Sequence, residues 1–215
     1  MIAGVDEAGR GCVLGPLVIG LAVAKQRVAA QLKLDGVKDS KELNHGRRKK
    51  LAAKIRKACG VLLIEIPATD LNLLMKKRIS LNEIEAMRIA KALMKLGEGV
   101  SSVYVDSPDA IPKMFERRIR KYYDAPFEIV CENKADSNHP IVAAASIVAK
   151  VARDEKIEEI KKIVGFDFGS GYSSDPRTVG YLKKNLHEPK LQEFIRKKWS
   201  TIDGLKQRKL SEFEN

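Results

Sequence analysis

Short apolar segments alternate with helix-like segments over the first 165 residues, and this alternation constrains the fold more than any other feature. Residues 1–6 and 13–23 predict two strands joined by a glycine-containing bend, so this pair is expected to be antiparallel. The later strands are predicted at 61–66, 103–106 and 127–131, and the helices at 47–58, 81–96, 110–122 and 140–163. Strands that alternate with helices indicate an α/β domain, and the antiparallel first pair makes its sheet mixed.

A Gly- and Ser-rich stretch from Gly165 to Asp175 is the clearest break in the chain. The 215 residues fit one medium domain with an appendage. We therefore predict a catalytic domain over 1–165, a linker over 166–178, and a small basic helical region over 179–215. Within that last part of the chain we expect short helices near 176–186 and 190–199, followed by a polar tail.

The charge balance favours a polyanionic partner. Forty Lys and Arg residues against 28 Asp and Glu residues give a formal charge of +12 and a pI near 9.6. Nucleic acid is a better match than an anionic membrane surface. A surface that is merely rich in both charges, as in heat-adapted or ribosome-associated proteins, stays open as an alternative, because net charge does not identify a site.

Cysteine usage and hydropathy predict a soluble cytoplasmic protein. The three cysteines form no CxxC pair, so neither a disulfide framework nor a zinc knuckle is expected. The first residues lack the basic segment of a signal peptide. Apolar runs fall short of the ~20 residues that a membrane span needs, so no membrane association is predicted.

Four acids lie at or near the ends of the apolar segments, and they are the candidate catalytic and metal-binding residues: Asp6, Glu7, Asp106 and Asp136. In open α/β sheets, sites form outside the carboxyl ends of strands, so several of these acids are expected to converge. Hard oxygen ligands without neighbouring His or Cys favour Mg²⁺ or Mn²⁺. Two such ions would act on both oxygens of a phosphodiester displacement. Alternatively, each acid caps a turn, but a doubled acid in an apolar setting is costly unless something binds it.

The adjacent pair Asp6 and Glu7 raises a geometric difficulty. Neighbouring residues of a regular strand point to opposite faces of the sheet. Both can face one metal only if the strand has ended or bulged there. Gly9 and Gly11, which follow directly, make such a distortion plausible.

Five ordered sequence blocks between residues 2 and 182 resemble those of one known family. They are GVDEAGRG at 4–11 with LGPL at 14–17, DSK at 39–41, YVD at 104–106 together with KAD at 134–136, AASIVAKV at 144–151, and GSGY at 169–172. Together they are similar to type 2 ribonuclease H, the ribonuclease HII family. The segment 103–109 resembles the archaeal branch of that family.

This resemblance implies an RNase H-like mixed sheet flanked by helices, with a small helical C-terminal extension. The implied activity is hydrolysis of the RNA strand of RNA–DNA hybrids and nicking on the 5′ side of ribonucleotides embedded in duplex DNA. The products would carry 5′-phosphate and 3′-hydroxyl ends, and the setting would be DNA replication and ribonucleotide excision repair. The four acids would hold two divalent ions, and we hypothesise that Asp6 bridges them.

The resemblance also implies which residues contact the substrate. The turn of Gly9, Arg10 and Gly11 would sense the ribose 2′-hydroxyl, because a backbone without side chains can approach a sugar closely. Tyr172 would pack against the sugar at an RNA–DNA junction, although a lone loop tyrosine equally suits a hinge. Lys41 and Lys150 are candidate phosphate contacts, and each is also compatible with a solvated surface lysine.

The tail carries a further pattern that resembles the peptide by which replication enzymes bind the sliding clamp. Gln207, Leu210 and Phe213 fit the spacing of a glutamine, an aliphatic and an aromatic residue. Glu214 stands where a second aromatic is usual, and short patterns of this kind also arise by chance. We expect a monomer with the clamp as a partner.

Two other function classes compete with this interpretation. A DNA-specific nuclease or junction resolvase on the same fold would have no use for the Gly9–Gly11 turn or for Tyr172 as 2′-hydroxyl and sugar contacts. A non-catalytic nucleic-acid-binding module would have no reason to keep four acids that repel phosphate when no metal is bound. Cleavage assays with Mg²⁺ and with EDTA separate these classes.

Overall fold

The computed structural model describes residues 1–37, 40 and 43–213, with side chains described as far as Lys206. The strands are β1 (Ile2–Ala8), β2 (Leu17–Ala24), β3 (Gly60–Ile66), β4 (Ser102–Asp106) and β5 (Glu128–Glu132). The helices are α1 (Gln26–Leu34), α2 (His45–Ala58), α3 (Ala68–Lys76), α4 (Leu81–Leu93), α5 (Pro112–Tyr122), α6 (Ala135–Asn138), α7 (Pro140–Val164), α8 (Pro176–Asn185) and α9 (Ser200–Phe213), with a 3₁₀ turn at Pro189–Leu191.

The five strands form one sheet in the order β3-β2-β1-β4-β5. Strand β1 pairs with β2 antiparallel, and β1–β4 and β4–β5 are parallel. The predicted α/β fold with a mixed sheet is confirmed. Because β1, β4 and β5 run in the same direction, their carboxyl ends lie at one edge of the sheet.

Helix α7 packs directly on the sheet because two strand residues have no side chain. A Cβ on Gly4 would overlap the backbone of Ile141, and one on Gly20 would lie 2.5 Å from the carbonyl oxygen of Ala145. The alanines of the helix on this side are fully buried. This close approach fixes the helix residues of the AASIVAKV block over the central strands.

Two compact units make up the chain. The first consists of 1–8, 18–65 and 80–152, and the second of 9–17, 66–79 and 153–215. The second unit has its own apolar core, which includes Leu14, Ile157, Phe168, Leu182 and Ile195. The predicted division along the sequence at residues 165 and 178 stays a prediction.

Several predicted elements were wrong in their bounds or were missed. Strand β2 begins at Leu17, because the amides of Val13 and Leu14 donate instead to the carbonyl of Gly171, at 2.8 and 3.1 Å. The predicted helix at 190–199 is a single 3₁₀ turn followed by non-helical chain. Backbone groups of this segment form hydrogen bonds outside it: the side-chain amide of Asn72 donates to the carbonyl of Ile195. Helices α1 and α3 were not predicted, and α9 occupies the place of the expected polar tail.

No helix in the described part of the chain is both long enough and apolar enough to cross a membrane.

Candidate active site

Three of the four predicted acids meet at the carboxyl edge of the sheet. Asp6 and Glu7 lie near the end of β1, and Asp106 is the last residue of β4. One carboxylate oxygen from each lies within 4.8 Å of the other two. The parallel pairing between β1 and β4 ends at Val5 and Val105, so all three acids lie just beyond the residues that these two strands pair with each other.

Asp6 and Glu7 converge without a bulge. Strand β1 keeps a one-to-one register with β2 through Ala8, with Asp6 opposite Gly20 and Glu7 opposite Ile19. The expectation that the strand must end or bulge was therefore wrong. Glu has one methylene more than Asp, and this longer side chain lets the Glu7 carboxylate reach the same edge from the other face of the strand.

Asp6 is the most deeply buried member of the cluster, with 6% of its surface exposed. Burial raises its pKa well above the usual range, and the charges of Glu7 and Asp106 raise it further. The amide of Glu7 donates to its Oδ1 at 2.6 Å. A hydrogen bond from Ser146 lowers the pKa of Asp6, but by less than burial and the two neighbouring charges raise it. Three crowded carboxylates of this kind have the oxygen chemistry of a divalent-cation site.

Two buried serines support Asp6, and neither was predicted as a site residue. Ser146 of α7 shares a hydrogen bond of 2.9 Å with Ser40. Arg48 donates to the carbonyl of Ser40 at 3.0 Å and also to that of Leu43. Both serines stand inside the blocks that resemble the family, and this was the available sequence signal.

Asp136 lies 30 positions after Asp106 in the chain and is not a member of the three-carboxylate group found in the described residues. It is buried in α6, directly after Ala135. The amide of Ala135 donates to Oδ1 of Asp106 at 2.8 Å, which fixes that carboxylate. Lys134 enters the helix in a left-handed conformation with φ of 58°, which is uncommon for a side-chain-bearing residue and is often found at functional sites.

The Gly9–Gly11 turn belongs to the second unit. The amide of Cys12 donates to the carbonyl of Gly9 at 3.1 Å, which closes the turn. Gly9 has φ of 90°, and a Cβ there would lie 2.9 Å from the carbonyl oxygen of Pro16. Gly11 differs, because a Cβ would only touch the Tyr172 ring at 3.8 Å. The backbone therefore requires glycine at position 9 and tolerates a side chain at position 11.

Tyr172 lies beside this turn in the second unit. It pairs with Cys12 as an isolated antiparallel bridge, and Ser173 donates to the carbonyl of Gly11 at 3.3 Å. The guanidinium of Arg153 lies 4.3 Å from the centre of the tyrosine ring. Burial, with the nearby Cys12, raises the pKa of Tyr172 to about 12, so its hydroxyl stays neutral. The side chain is only half-buried, and part of it faces solvent.

Comparison with known proteins identifies the family. The family model described as Ribonuclease HII matches residues 3–202. The chain belongs to the ribonuclease HII family. The Ribonuclease HII of Archaeoglobus fulgidus is 42% identical over 214 residues, which cover 99% of this chain and all of that protein.

Two solved structures have the same fold over nearly the whole chain. The PCNA:RNase HII complex from Archaeoglobus fulgidus matches with a TM-score of 0.86 at 40% identity, covering 99% of this chain and 100% of that one. The ribonuclease H2 from Pyrococcus horikoshii OT3 matches with a TM-score of 0.83 at 40% identity, covering 96% and 97%. This ribonuclease HII family member is thus a type 2 ribonuclease H, an endonuclease for the RNA strand of RNA–DNA hybrids. Its similarity to archaeal relatives is confirmed as well.

Sequence reasoning missed two buried arginines that hold the loops of the second unit together. Arg153 is 1% exposed and donates to Cys12 Sγ at 2.7 Å and to the carbonyl of Ser170. Arg196 is fully buried and donates to the carbonyls of Gly15 at 2.9 Å and Arg10 at 3.1 Å. Arg153 comes two residues after the AASIVAKV block, but nothing in the local sequence marks either residue as buried.

The remaining predicted residues divide between described and undescribed parts of the chain. Lys150 is half-buried on α7, one helical turn after Ser146, and its phosphate contact stays a prediction. Lys41 lies outside the described residues. Gln207, Leu210 and Phe213 fall in the last turns of α9, and their side chains lie outside the described ones.

Proposed function

We propose that this ribonuclease HII family member nicks duplex DNA on the 5′ side of an embedded ribonucleotide, besides cutting RNA–DNA hybrids, and leaves 5′-phosphate and 3′-hydroxyl ends. The observation that carries the proposal is the meeting of the Asp6, Glu7 and Asp106 carboxylates within 4.8 Å at one sheet edge. A cluster that offers only hard oxygen ligands suits the cations used for phosphodiester hydrolysis.

The metal site is proposed to consist of Asp6, Glu7, Asp106 and Asp136, which would hold two Mg²⁺ or Mn²⁺ ions. The fit rests on the donor set and on the raised pKa of Asp6, because a buried carboxylate beside two others needs a positive charge to ionise at low cost. When bound, the ions would activate water and stabilise the charge that develops on the scissile phosphate. The protein holds the ligands in place: Ala135 N–H orients Asp106, and the Ser146–Ser40 pair supports Asp6.

Selection for ribose is assigned to the Gly9–Gly11 turn and Tyr172. A turn whose Gly11 carries no side chain offers backbone groups that can reach a 2′-hydroxyl. The partly exposed ring of Tyr172, held by Arg153, offers a flat surface to the sugar. These contacts favour the ribonuclease over a DNA-specific nuclease on the same fold.

The test compares three duplexes of one sequence: an RNA–DNA hybrid, a DNA duplex with one ribonucleotide, and an all-DNA duplex. Each is incubated with Mg²⁺, with Mn²⁺ and with EDTA, and the product ends are identified by their susceptibility to phosphatase and to polymerase extension. We expect cleavage of the first two duplexes only, with metal only, at the 5′ side of the ribonucleotide. Cleavage of the all-DNA duplex at a similar rate would refute ribose selection, and cleavage in EDTA would refute the metal site.

We also propose that the tail binds the sliding clamp through Gln207, Leu210 and Phe213, and that the enzyme acts in replication and ribonucleotide excision repair. The support is the spacing of the three residues, together with the solved complex of the Archaeoglobus fulgidus relative with PCNA. Deleting residues 206–215 should abolish clamp binding in calorimetry and leave the cleavage rate on naked duplex unchanged. A truncated enzyme that still binds clamp, or that loses intrinsic activity, would show that the tail has another role.

A further inference from the structure

A ladder of three aromatic rings in the second unit leads from its core to its surface. Phe168 is fully buried, and the ring of Tyr181 lies 6.0 Å from it. On the other side, Phe166 stacks on Tyr181 with ring centroids 4.7 Å apart and an interplanar angle of 11°. Phe166 is 54% exposed, so the outermost ring of the ladder has a surface open to solvent.

The backbone holds Phe166 in this position. Helix α7 ends at Val164, and Gly165 follows with φ of 72°. The amides of Gly165 and Phe166 both donate to the carbonyl of Lys161, at 2.9 and 3.2 Å. This capping arrangement orders the chain directly after the helix, so the exposed ring is presented by a fixed backbone.

The two outer rings of the ladder, Phe166 and Tyr181, line a groove of about 810 Å³ whose charged residues are three basic and two acidic. Lys184 and Lys190 line it and make no ion pair with the described residues, and Arg177 lines it as well. Asp167 is balanced by Lys161 at 2.8 Å and by Arg177 at 3.6 Å. Glu188 is then the one lining acid in the described chain whose charge is not offset by an ion pair.

We infer that this groove binds an unpaired stretch of the nucleic acid that the enzyme cuts, with a base stacked on Phe166 and the phosphates near Lys184 and Lys190. An open aromatic ring with lysines around it is how proteins bind single strands without sequence preference. A base inside a duplex is already stacked on both faces, and therefore an overhang or flap fits better than a continuous duplex. The inference rests on the proposed function, because it assumes a nucleic-acid substrate.

The reach of the chain places the groove near the proposed sugar contact. Tyr172 is six positions after Phe166 in the sequence, so their Cα atoms are at most about 22 Å apart. A strand rises about 3.4 Å per nucleotide in a duplex, so this limit corresponds to at most about six nucleotides. A duplex with its ribonucleotide no more than about six base pairs from one end should therefore present a tail at that end to the groove.

The experiment measures binding in EDTA, so that catalysis does not enter. A duplex with one ribonucleotide is prepared blunt and with a thymidine tail of about six nucleotides that contains one 2-aminopurine, attached to either strand. We expect the tail on one of the two strands to tighten binding by about tenfold relative to the blunt duplex and to quench the 2-aminopurine fluorescence. Each base stacked on an aromatic side chain increases affinity by about five-fold to a hundred-fold or more.

Matched variants assign the gain to the groove. Phe166→Ala should abolish both the tail gain and the quenching, and Phe166→Trp should preserve them. Ile163→Ala is the control, because Ile163 is 53% exposed and three residues away, yet it does not line the groove. None of these variants should change the affinity for the blunt duplex.

Charge variants act in opposite directions. Lys184→Ala should weaken the tail gain, whereas Lys183→Ala, on the same helix but outside the groove lining, should not. Glu188→Gln should strengthen it, because it removes a negative charge that faces the phosphates.

Three results would overturn the inference: no tail gain in the wild-type enzyme, an equal gain in Phe166→Ala, or equal losses in Phe166→Ala and Ile163→Ala. Displacement of the tail by free AMP at low concentration would instead identify a mononucleotide pocket and would also contradict it. Failure of the proposed function is a separate result, seen as absent cleavage of blunt duplexes in Mg²⁺.

Discussion

Replacing Gly9 by alanine tests whether the backbone shape of the turn is what the enzyme needs there. With φ of 90°, an alanine would sit in a region that costs an L-residue about 1–2 kcal/mol. Its Cβ would also lie 2.9 Å from the Pro16 carbonyl oxygen and 3.3 Å from Cγ of Arg153. Crowding of this kind costs typically about 1–3 kcal/mol, so the sum is roughly 2–5 kcal/mol.

At about 2–4 °C per kcal/mol for a chain of this size, Gly9→Ala should lower the Tm by roughly 4–20 °C. Gly11→Ala is the matched control, because its Cβ would make only an ordinary contact at 3.8 Å with Tyr172. Gly11→Ala should change the Tm by a degree or two at most and still slow cleavage at a ribonucleotide, since its methyl group stands where the sugar would approach. Thermal melts and single-turnover rates check both variants. Equal Tm losses for the two variants would refute the backbone argument, and a normal rate for Gly11→Ala would refute the sugar contact.

Further predictions concern buried charge and the two loops. In EDTA, the free energy of unfolding should fall as pH rises above about 4, because the raised pKa of Asp6 lets the folded state keep a proton that the unfolded state loses. Urea titrations at several pH values measure this dependence, and Asp6→Asn should reduce it. An unchanged pH dependence in Asp6→Asn would show that other groups cause it. Tyr172→Ala should slow cleavage at a ribonucleotide junction with little loss of Tm, because the side chain is only half-buried; a large Tm loss with a normal rate per folded molecule would make it a packing residue. Arg153→Ala should lower stability by about 3–5 kcal/mol, because its buried guanidinium holds several partners, and a melt close to wild type would contradict this.

The part of the site that the sequence predicts follows from strand direction. Asp6 and Asp106 both lie at the carboxyl ends of apolar segments, and parallel strands bring such ends to one edge. The mixed sheet and the long helix are predictable as well, because period and length are local signals, whereas the order of the strands was not predicted. The place of Glu7 in the cluster was harder to predict, because the period of a strand places Glu7 on the opposite face from Asp6. The length of the Glu7 side chain is what lets its carboxylate reach the cluster.

Non-local contacts explain what the sequence did not reveal. Arg153 and Arg196 lie in strongly charged segments, and their burial depends on carbonyl and thiol partners more than 140 residues away in the chain, at Cys12 and Gly15. Helix α1 was missed because only two of its nine residues, Ala29 and Leu32, are buried, which leaves a weak periodic pattern. The 190–199 segment carries helix-forming residues, but its backbone bonds to distant groups instead.

The central claim is that the carboxylates at the ends of β1 and β4 are the catalytic centre, and the most direct test compares two neighbouring acids. Asp106 belongs to the cluster, whereas Glu132 is its register partner on β5 and lies outside the cluster. Both Asp106→Asn and Glu132→Gln remove one negative charge with little change in shape. In single-turnover cleavage of a duplex with one ribonucleotide in Mg²⁺, the account predicts a loss on the order of a hundred-fold or more for Asp106→Asn and a near wild-type rate for Glu132→Gln. Comparable rates for the two variants would contradict it.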